Sequence, residues 1–112
     1  MIRILVIDPE PHARLTMRSM LVGAGYEVDL AADGCAAESA FARHPADLVI
    51  ADAEEEAARL PTRLLAVPGG DPLRRRELGG VTNVLPKPFG RDDLLAAVRV
   101  TLGAIPPVPG HS

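Results

Sequence analysis

The sequence is poor in the residue types that typify secreted, membrane-spanning and nucleic-acid-binding proteins. Its 112 residues include a single cysteine, Cys35, so no internal disulfide can form and a reducing cytoplasm is the expected setting. Aromatic residues make up only 3% of the chain, which argues against stacking on bases. No apolar run is long enough to cross a membrane, and Met1 leads directly into a predicted strand rather than a signal peptide.

The composition that remains is typical of one globular domain. Apolar residues form 47% of the chain and charged residues 24%, and 112 residues suffice to bury a core. The net charge of −3 argues against nucleic acid as a direct partner. We expect residues 1–104 to form the domain, and residues 105–112, with three prolines, to form a tail or the start of a linker.

Three short runs of consecutive aliphatic residues predict strands that are buried on both faces. They comprise residues 4–7, 48–51 and 64–67. Residues 26–30 alternate between polar and apolar side chains, which predicts a half-exposed strand at an edge of the sheet. A further short strand is predicted at residues 84–85.

Helical spacing of apolar residues fills most of the gaps between these strands. It covers residues 13–24, 37–41 and 94–102, whereas residues 33–34 have the composition of a turn. Helix start and stop signals also flank residues 72–79. The alternating order predicts an α/β fold with a doubly wound, five-stranded parallel sheet, and strand order 2-1-3-4-5 puts the buried runs in its centre.

Charged residues follow three of the predicted strands. In the 2-1-3-4-5 order Asp8 and Asp52 emerge side by side, and Lys87 follows the last strand to the same edge. Adjacent carboxylates repel each other, and a divalent cation or an ammonium group relieves that repulsion. Each residue alone is better explained as a helix-initiating acid or a solvated lysine. The presence of all three residues at the ends of predicted strands instead favours a site for phosphoryl transfer to an aspartate.

Four segments together resemble the receiver domain of bacterial response regulators. They are ILVIDPEPH at residues 4–12, ADG at 32–34, DLVIAD at 47–52 and LPKPF at 85–89. The resemblance spans about residues 2–103. It implies a flavodoxin-like receiver fold, a role in two-component or phosphorelay signalling, and no enzymatic activity on an external substrate.

The resemblance also implies roles for individual residues. Asp52 matches the phosphoacceptor, Asp8 one of the paired acids of a Mg²⁺ site, and Lys87 the lysine that contacts phosphate; the bond from Lys87 to Pro88 is expected to be cis. The implied partners are a histidine kinase or phosphotransfer protein and a downstream protein or attached output domain. A homodimer is left open, and no membrane or nucleic-acid contact is implied.

The sequence departs from the family pattern at several functional positions. The second metal-site acid falls on Pro9, which supplies neither a carboxylate nor an N–H group. Glu10 and the backbone carbonyl of Glu54 are further candidate metal ligands, although the acidic run around Glu54 is also typical of a solvated surface. The family's hydroxyl and aromatic switch residues fall on Pro68 and Val84. An atypical member of the family is therefore predicted.

The crossover between the second and third buried runs is also short. Residues 53–63 number 11, close to the minimum for a parallel connection, which predicts a shortened or missing third helix. Two hypotheses follow: a receiver phosphorylated on Asp52, or a pseudo-receiver that signals by protein contact without phosphate or Mg²⁺. A flavodoxin-like cofactor carrier or a phosphatase is disfavoured, because residues 8–11 provide no glycine or hydroxyl cradle for phosphate.

Overall fold

The strands form one parallel sheet. The structure is a computed structural model that describes residues 1–52, 60–67 and 83–103. The strands are β1 (Arg3–Ile7), β2 (Glu27–Ala31), β3 (Leu48–Ala51), β4 (Arg63–Ala66) and β5 (Asn83–Val84). Their order is β2-β1-β3-β4-β5, and every neighbouring pair is parallel. The predicted sheet and its strand order are confirmed.

Three helices lie in the described part of the chain. They are α1 (Pro11–Gly23), α2 (Gly34–Arg43) and α3 (Arg91–Gly103). None of them is long and apolar enough to span a membrane. The predictions for residues 53–59, 68–82 and 104–112 fall outside the described residues. They include the shortened third helix, the helix near residues 72–79 and the proline-rich tail.

The helix ends follow local chemistry, with one correction to the sequence interpretation. The predicted turn at residues 33–34 is wrong: Asp33 caps α2 by accepting a hydrogen bond from the backbone N–H of Ala36, and Gly34 is the first helical residue. Pro11 occupies the first turn of α1, where its fixed φ and missing N–H cost nothing. Just past α1, Gly25 adopts a φ of 97°, which only glycine tolerates easily.

Hydrophobic packing covers both faces of the sheet. The cluster that α1 and α3 share with the strands contains Ile4, Val6, Met17, Leu21, Leu48, Ile50, Leu65, Val67, Leu94 and Val98. The cluster beneath α2 contains Leu5, Ile7, Ala31, Ala37, Ala40, Ala46, Val49, Ala51 and Leu64. Consecutive residues of β1 and β3 enter opposite clusters, which explains why these strands read as unbroken aliphatic runs.

The register of the central strands determines where the functional residues lie. Ile7 of β1 pairs with Ala51 of β3, so the next residue of each strand, Asp8 and Asp52, leaves the sheet at the same edge. β5 lies two strands from β3, and Lys87 follows it by three residues. The edge at the carboxyl ends of the strands thus collects all three charged groups.

Candidate functional site

Asp8 is held at the end of β1 by the sheet itself. Its backbone N–H donates to the carbonyl oxygen of Ala31 at 3.1 Å, and the N–H of Asp52 donates to the carbonyl of Ile7 at 3.2 Å. The Asp8 side chain is only 1% exposed, whereas that of Asp52 is 28% exposed. The two acids therefore share one edge of the sheet but differ in their access to solvent.

Lys87 joins the two acids. Its Nζ atom lies 2.9 Å from Oδ2 of Asp8 and 3.1 Å from Oδ1 of Asp52, and the lysine side chain is 27% exposed. The peptide bond between Lys87 and Pro88 is cis, as the resemblance implied. The structure thus brings together the three residues that the sequence singled out, and their roles in phosphoryl transfer remain predictions.

The environment of Lys87 favours its charged form. Partial burial acts to lower the pKa of Lys87, but hydrogen bonds to Asp8 and Asp52 and the charges of these carboxylates outweigh that effect. The pKa of Lys87 is consequently raised above its usual value. The ammonium group is the internal counter-charge of this edge.

Arg14, a residue that sequence reasoning missed, contacts Asp8 from α1. Its Nη1 atom donates to the backbone carbonyl oxygen of Asp8 at 2.7 Å. The backbone N–H of Glu10 donates to Oδ1 of Asp8 at 2.9 Å. No sequence signal identifies Arg14, because an arginine on the first turns of a surface helix is ordinarily solvated.

Glu10 caps helix α1. Its carboxylate accepts hydrogen bonds from the backbone N–H groups of His12, at 3.0 Å, and Ala13. These two bonds lower the pKa of Glu10 below its usual value. The prediction that Glu10 binds a metal therefore competes with a capping role that the sequence did not suggest.

The carboxylates at this edge suit a Mg²⁺ ion in type but are few. Asp8 and Asp52 offer the hard oxygen ligands that Mg²⁺ prefers, and Mg²⁺ often takes only one or two carboxylates and completes its shell with water and phosphate. Within the residues that the structure describes, no group of three or more His, Cys, Asp or Glu could hold a metal. Pro9 adds no ligand, and Glu54 lies outside the described residues. In ligand type, the pair fits a Mg²⁺ ion.

The resemblance assigned the family's two switch positions to Pro68 and Val84. Val84 lies in β5, half-buried and paired with Ala66 of β4, and it has no aromatic ring or hydroxyl group. Pro68 lies outside the described residues.

Comparison of the sequence with curated proteins finds response regulators. The chain is 32% identical to the response regulator MprA of Mycobacterium sp. (strain KMS) over 124 aligned positions, which cover 97% of this chain and 54% of that protein. It thus spans about half the length of the curated relatives it matches. No protein-family model matches the chain.

Comparison with solved structures defines the fold. The chemotaxis response regulator CheY4 of Vibrio cholerae superposes with a TM-score of 0.78 at 26% identity, covering 90% of this chain and 98% of that one. A CheY-like receiver domain protein from Methanospirillum hungatei gives 0.80 at 21% identity, over 91% and 94%. The fold is therefore the flavodoxin-like fold of receivers. The chain belongs to the response-regulator receiver family.

Proposed function

We propose that this domain accepts a phosphoryl group on Asp52 and passes the signal on by protein contact. The observation that carries the proposal is the bridge from Lys87 to Asp8 and Asp52 at the carboxyl edge of a receiver fold. Asp52 is the more exposed of the two acids, so it is the one that a donor can reach. The domain acts on its own aspartate rather than on an external substrate.

The proposed chemistry uses groups of this chain. A carboxylate oxygen of Asp52 attacks the phosphorus of a phosphorylated histidine, the P–N bond breaks, and the imidazole leaves with the electron pair and takes up a proton. The ammonium group of Lys87 is close enough to offset negative charge on the transferred group. Asp8 holds Lys87 in that position.

Mg²⁺ is the cofactor that we propose for this reaction. Asp8 and Asp52 are the residues that would hold it, and Glu54 would add its backbone carbonyl. When bound, Mg²⁺ supplies charge neutralisation for phosphoryl oxygens. Because Pro9 contributes no carboxylate, we expect the affinity for Mg²⁺ to be weak.

The experiment is phosphorylation by acetyl phosphate with and without Mg²⁺, followed by mass spectrometry of the intact chain. We expect uptake of one phosphoryl group by the parent and none by Asp52→Asn. Asp47→Asn is the matched control, since Asp47 precedes the other end of β3 and accepts a hydrogen bond from the N–H of Arg3. Uptake by Asp52→Asn, or no uptake by the parent, would refute the proposal.

A pseudo-receiver that works without phosphate or Mg²⁺ is the second candidate function. The observation that favours it is the first loop, where Pro9 offers no ligand and the Glu10 carboxylate is engaged on helix α1. Titration with Mg²⁺, followed by backbone amide shifts, tests it. Micromolar affinity, or a Mg²⁺-dependent phosphorylated form, would argue against this candidate.

The partners are proposed from the family and from the share of its relatives that the chain covers. A histidine kinase or a phosphotransfer protein would supply the phosphoryl group in the cytoplasm. The signal would pass to a separate protein or to an attached output domain, since the matched relatives are about twice as long as the aligned region. The sequence leaves open whether the domain forms a homodimer.

A further inference from the structure

We propose that Arg14 is a positioning residue for the site: its guanidinium group fixes the turn after β1, so that the Asp8 carboxylate faces Lys87. The role is indirect, because the described contact of the Arg14 side chain is with the backbone carbonyl of Asp8. The proposal adds to the proposed function a residue on α1 that acts through Asp8.

Every polar atom of Asp8 has a described partner. The N–H bonds to Ala31, Oδ1 accepts the N–H of Glu10, and Oδ2 accepts Lys87. The carbonyl oxygen is bound by the Arg14 guanidinium at 2.7 Å. A buried carboxylate tolerates little error in such a network, because an unsatisfied polar atom is costly.

The backbone of the turn offers no N–H group to bind the Asp8 carbonyl oxygen, so a side chain does so. Pro9 has no N–H group, so it cannot bond to a neighbouring carbonyl, and Pro9 and Pro11 both fix φ on either side of Glu10. The Glu10 N–H is already used on Oδ1 of Asp8. Arg14 is therefore the described group that ties the Asp8 carbonyl to helix α1.

The other arginine of α1 provides a matched comparison. Arg14 is half-buried and contacts the turn, whereas Arg18, one turn further along the same helix, is exposed and has no hydrogen bond to a described residue. Arginine and methionine have similar helix propensities, so either arginine can be changed to methionine with little effect on α1 itself. Arg14→Met and Arg18→Met thus differ in the contact with Asp8.

Amide hydrogen exchange, measured by NMR, separates positioning from a general effect on helix α1. The N–H of Glu10 reports on the Asp8 carboxylate, whereas those of His12 and Ala13 report on the cap. In Arg14→Met we expect exchange at the Glu10 amide to accelerate about tenfold, with the two cap amides unchanged. Arg18→Met should leave all three amides unchanged.

The conservative variant completes the test. Arg14→Lys keeps a cationic donor for a single carbonyl oxygen, so we expect it to restore most of the protection at the Glu10 amide. Equal acceleration at the amides of Glu10, His12 and Ala13 in Arg14→Met would overturn the proposal, since it would assign Arg14 to helix stability alone. No acceleration at Glu10 would overturn it as well.

A second readout rests on the proposed function. Acetyl phosphate should modify Asp52 about tenfold more slowly in Arg14→Met than in the parent and in Arg18→Met, because Lys87 loses its fixed partner. If the parent takes up no phosphoryl group, the proposed function fails, while the exchange at Glu10 still decides the role of Arg14. An unchanged rate in an Arg14→Met variant with an accelerated Glu10 amide would contradict the link to chemistry.

Discussion

Each end of β1 carries a cluster in which one cation lies between two carboxylates. The amino-edge cluster consists of Arg3, Glu27 and Asp29. The carboxyl-edge cluster consists of Asp8, Asp52 and Lys87. The cation-to-oxygen distances are nearly the same, 2.8 and 2.9 Å in the first and 2.9 and 3.1 Å in the second. Distance and formal charge therefore do not distinguish the clusters.

The burial of Asp8 distinguishes them, since the other three acids and both cations are 25–46% exposed. Both acids of the amino-edge cluster stand on β2, an edge strand, where Glu27 is 46% and Asp29 27% exposed. Asp8 of the carboxyl-edge cluster is 1% exposed. An exposed ion pair contributes little because water solvates its members well when they separate, whereas a buried carboxylate without its cation is strongly destabilising. The same charges thus link an edge strand to β1 at one end and form the candidate site at the other.

The largest expected effect is the loss of the cation at the carboxyl edge. Lys87→Met should lower the free energy of unfolding by about 2–3 kcal/mol, because it leaves the Asp8 carboxylate buried without its counter-charge. Urea unfolding of parent and variant at pH 7 measures the change. Lys87→Arg, which keeps a cation, is the control and should lose much less.

Two measurements test whether the buried Asp8 carboxylate causes the Lys87→Met effect: the same substitution made in an Asp8→Asn background, and the pH dependence of stability. In the Asp8→Asn background, Lys87→Met should lower the free energy of unfolding by clearly less than it does in the parent. Because the pKa of Lys87 is raised in the folded state, its stabilisation is fully present below about pH 10.5 and is lost as the pH rises through the folded-state value. A Lys87→Met effect no larger than that of removing Arg3 would refute the distinction between the clusters.

The sequence predicts the carboxyl-edge cluster well because its determinants are patterns. Unbroken aliphatic runs predict buried central strands, and the parallel order then brings the ends of β1 and β3 together. Asp8, Asp52 and Lys87 are then identified as the charged residues that follow predicted strands. The contacts around them are less predictable. Arg14 carries no sequence signal, because a long side chain reaches a carbonyl or water with equal ease.

Glu10 illustrates the same limit. Glutamate is not among the preferred N-cap residues, so nothing in the sequence indicated that Glu10 would cap α1. The choice depends on backbone angles at Glu10, which are extended at φ −91° and ψ 116°. Such angles are set by the turn as a whole.

A smaller effect is expected from a carboxylate added at the carboxyl edge. Pro9→Asp should raise the affinity for Mg²⁺ about tenfold, or by about 1.4 kcal/mol, because it adds a hard oxygen ligand beside Asp8 and Asp52. Titration with Mg²⁺, followed by amide shifts, measures the affinity.

The control adds the same charge at the other end of the sheet. Ile2→Asp places a carboxylate before β1, at the amino edge, and Ile2 is 40% exposed. We expect its Mg²⁺ affinity to match that of the parent. Equal gains in Pro9→Asp and Ile2→Asp would mean that net charge, and not the carboxyl-edge cluster, governs metal binding.

Removal of the cation at the amino edge should have a smaller effect still. Arg3→Met is expected to cost about 0.5–1 kcal/mol of unfolding free energy, and less in high salt, because neither Glu27 nor Asp29 is buried. Arg99→Met is the control, since Arg99 is exposed on α3 and has no hydrogen bond to a described residue. A loss of unfolding free energy in Arg3→Met as large as that in Lys87→Met, or one that salt leaves unchanged, would contradict the role of burial.

The smallest effect concerns Glu10, which lies beside the carboxyl-edge cluster yet is exposed. If burial decides the contribution of a charge, Glu10→Gln should lower the melting temperature only slightly. Since the folded-state pKa of Glu10 lies below 4.5, the difference should be constant above pH 4.5 and should vanish as the pH falls through the folded-state value.

Glu10→Ala separates the charge from the hydrogen bonds to the N–H groups of His12 and Ala13. It should lower the melting temperature at every pH, because it removes the cap itself, and a part of its effect should persist in acid. A Glu10→Gln effect that also persists in acid would mean that charge is irrelevant at this position. An effect as large as that of Lys87→Met would mean that proximity to the carboxyl edge, and not burial, gives a charge its weight in this domain.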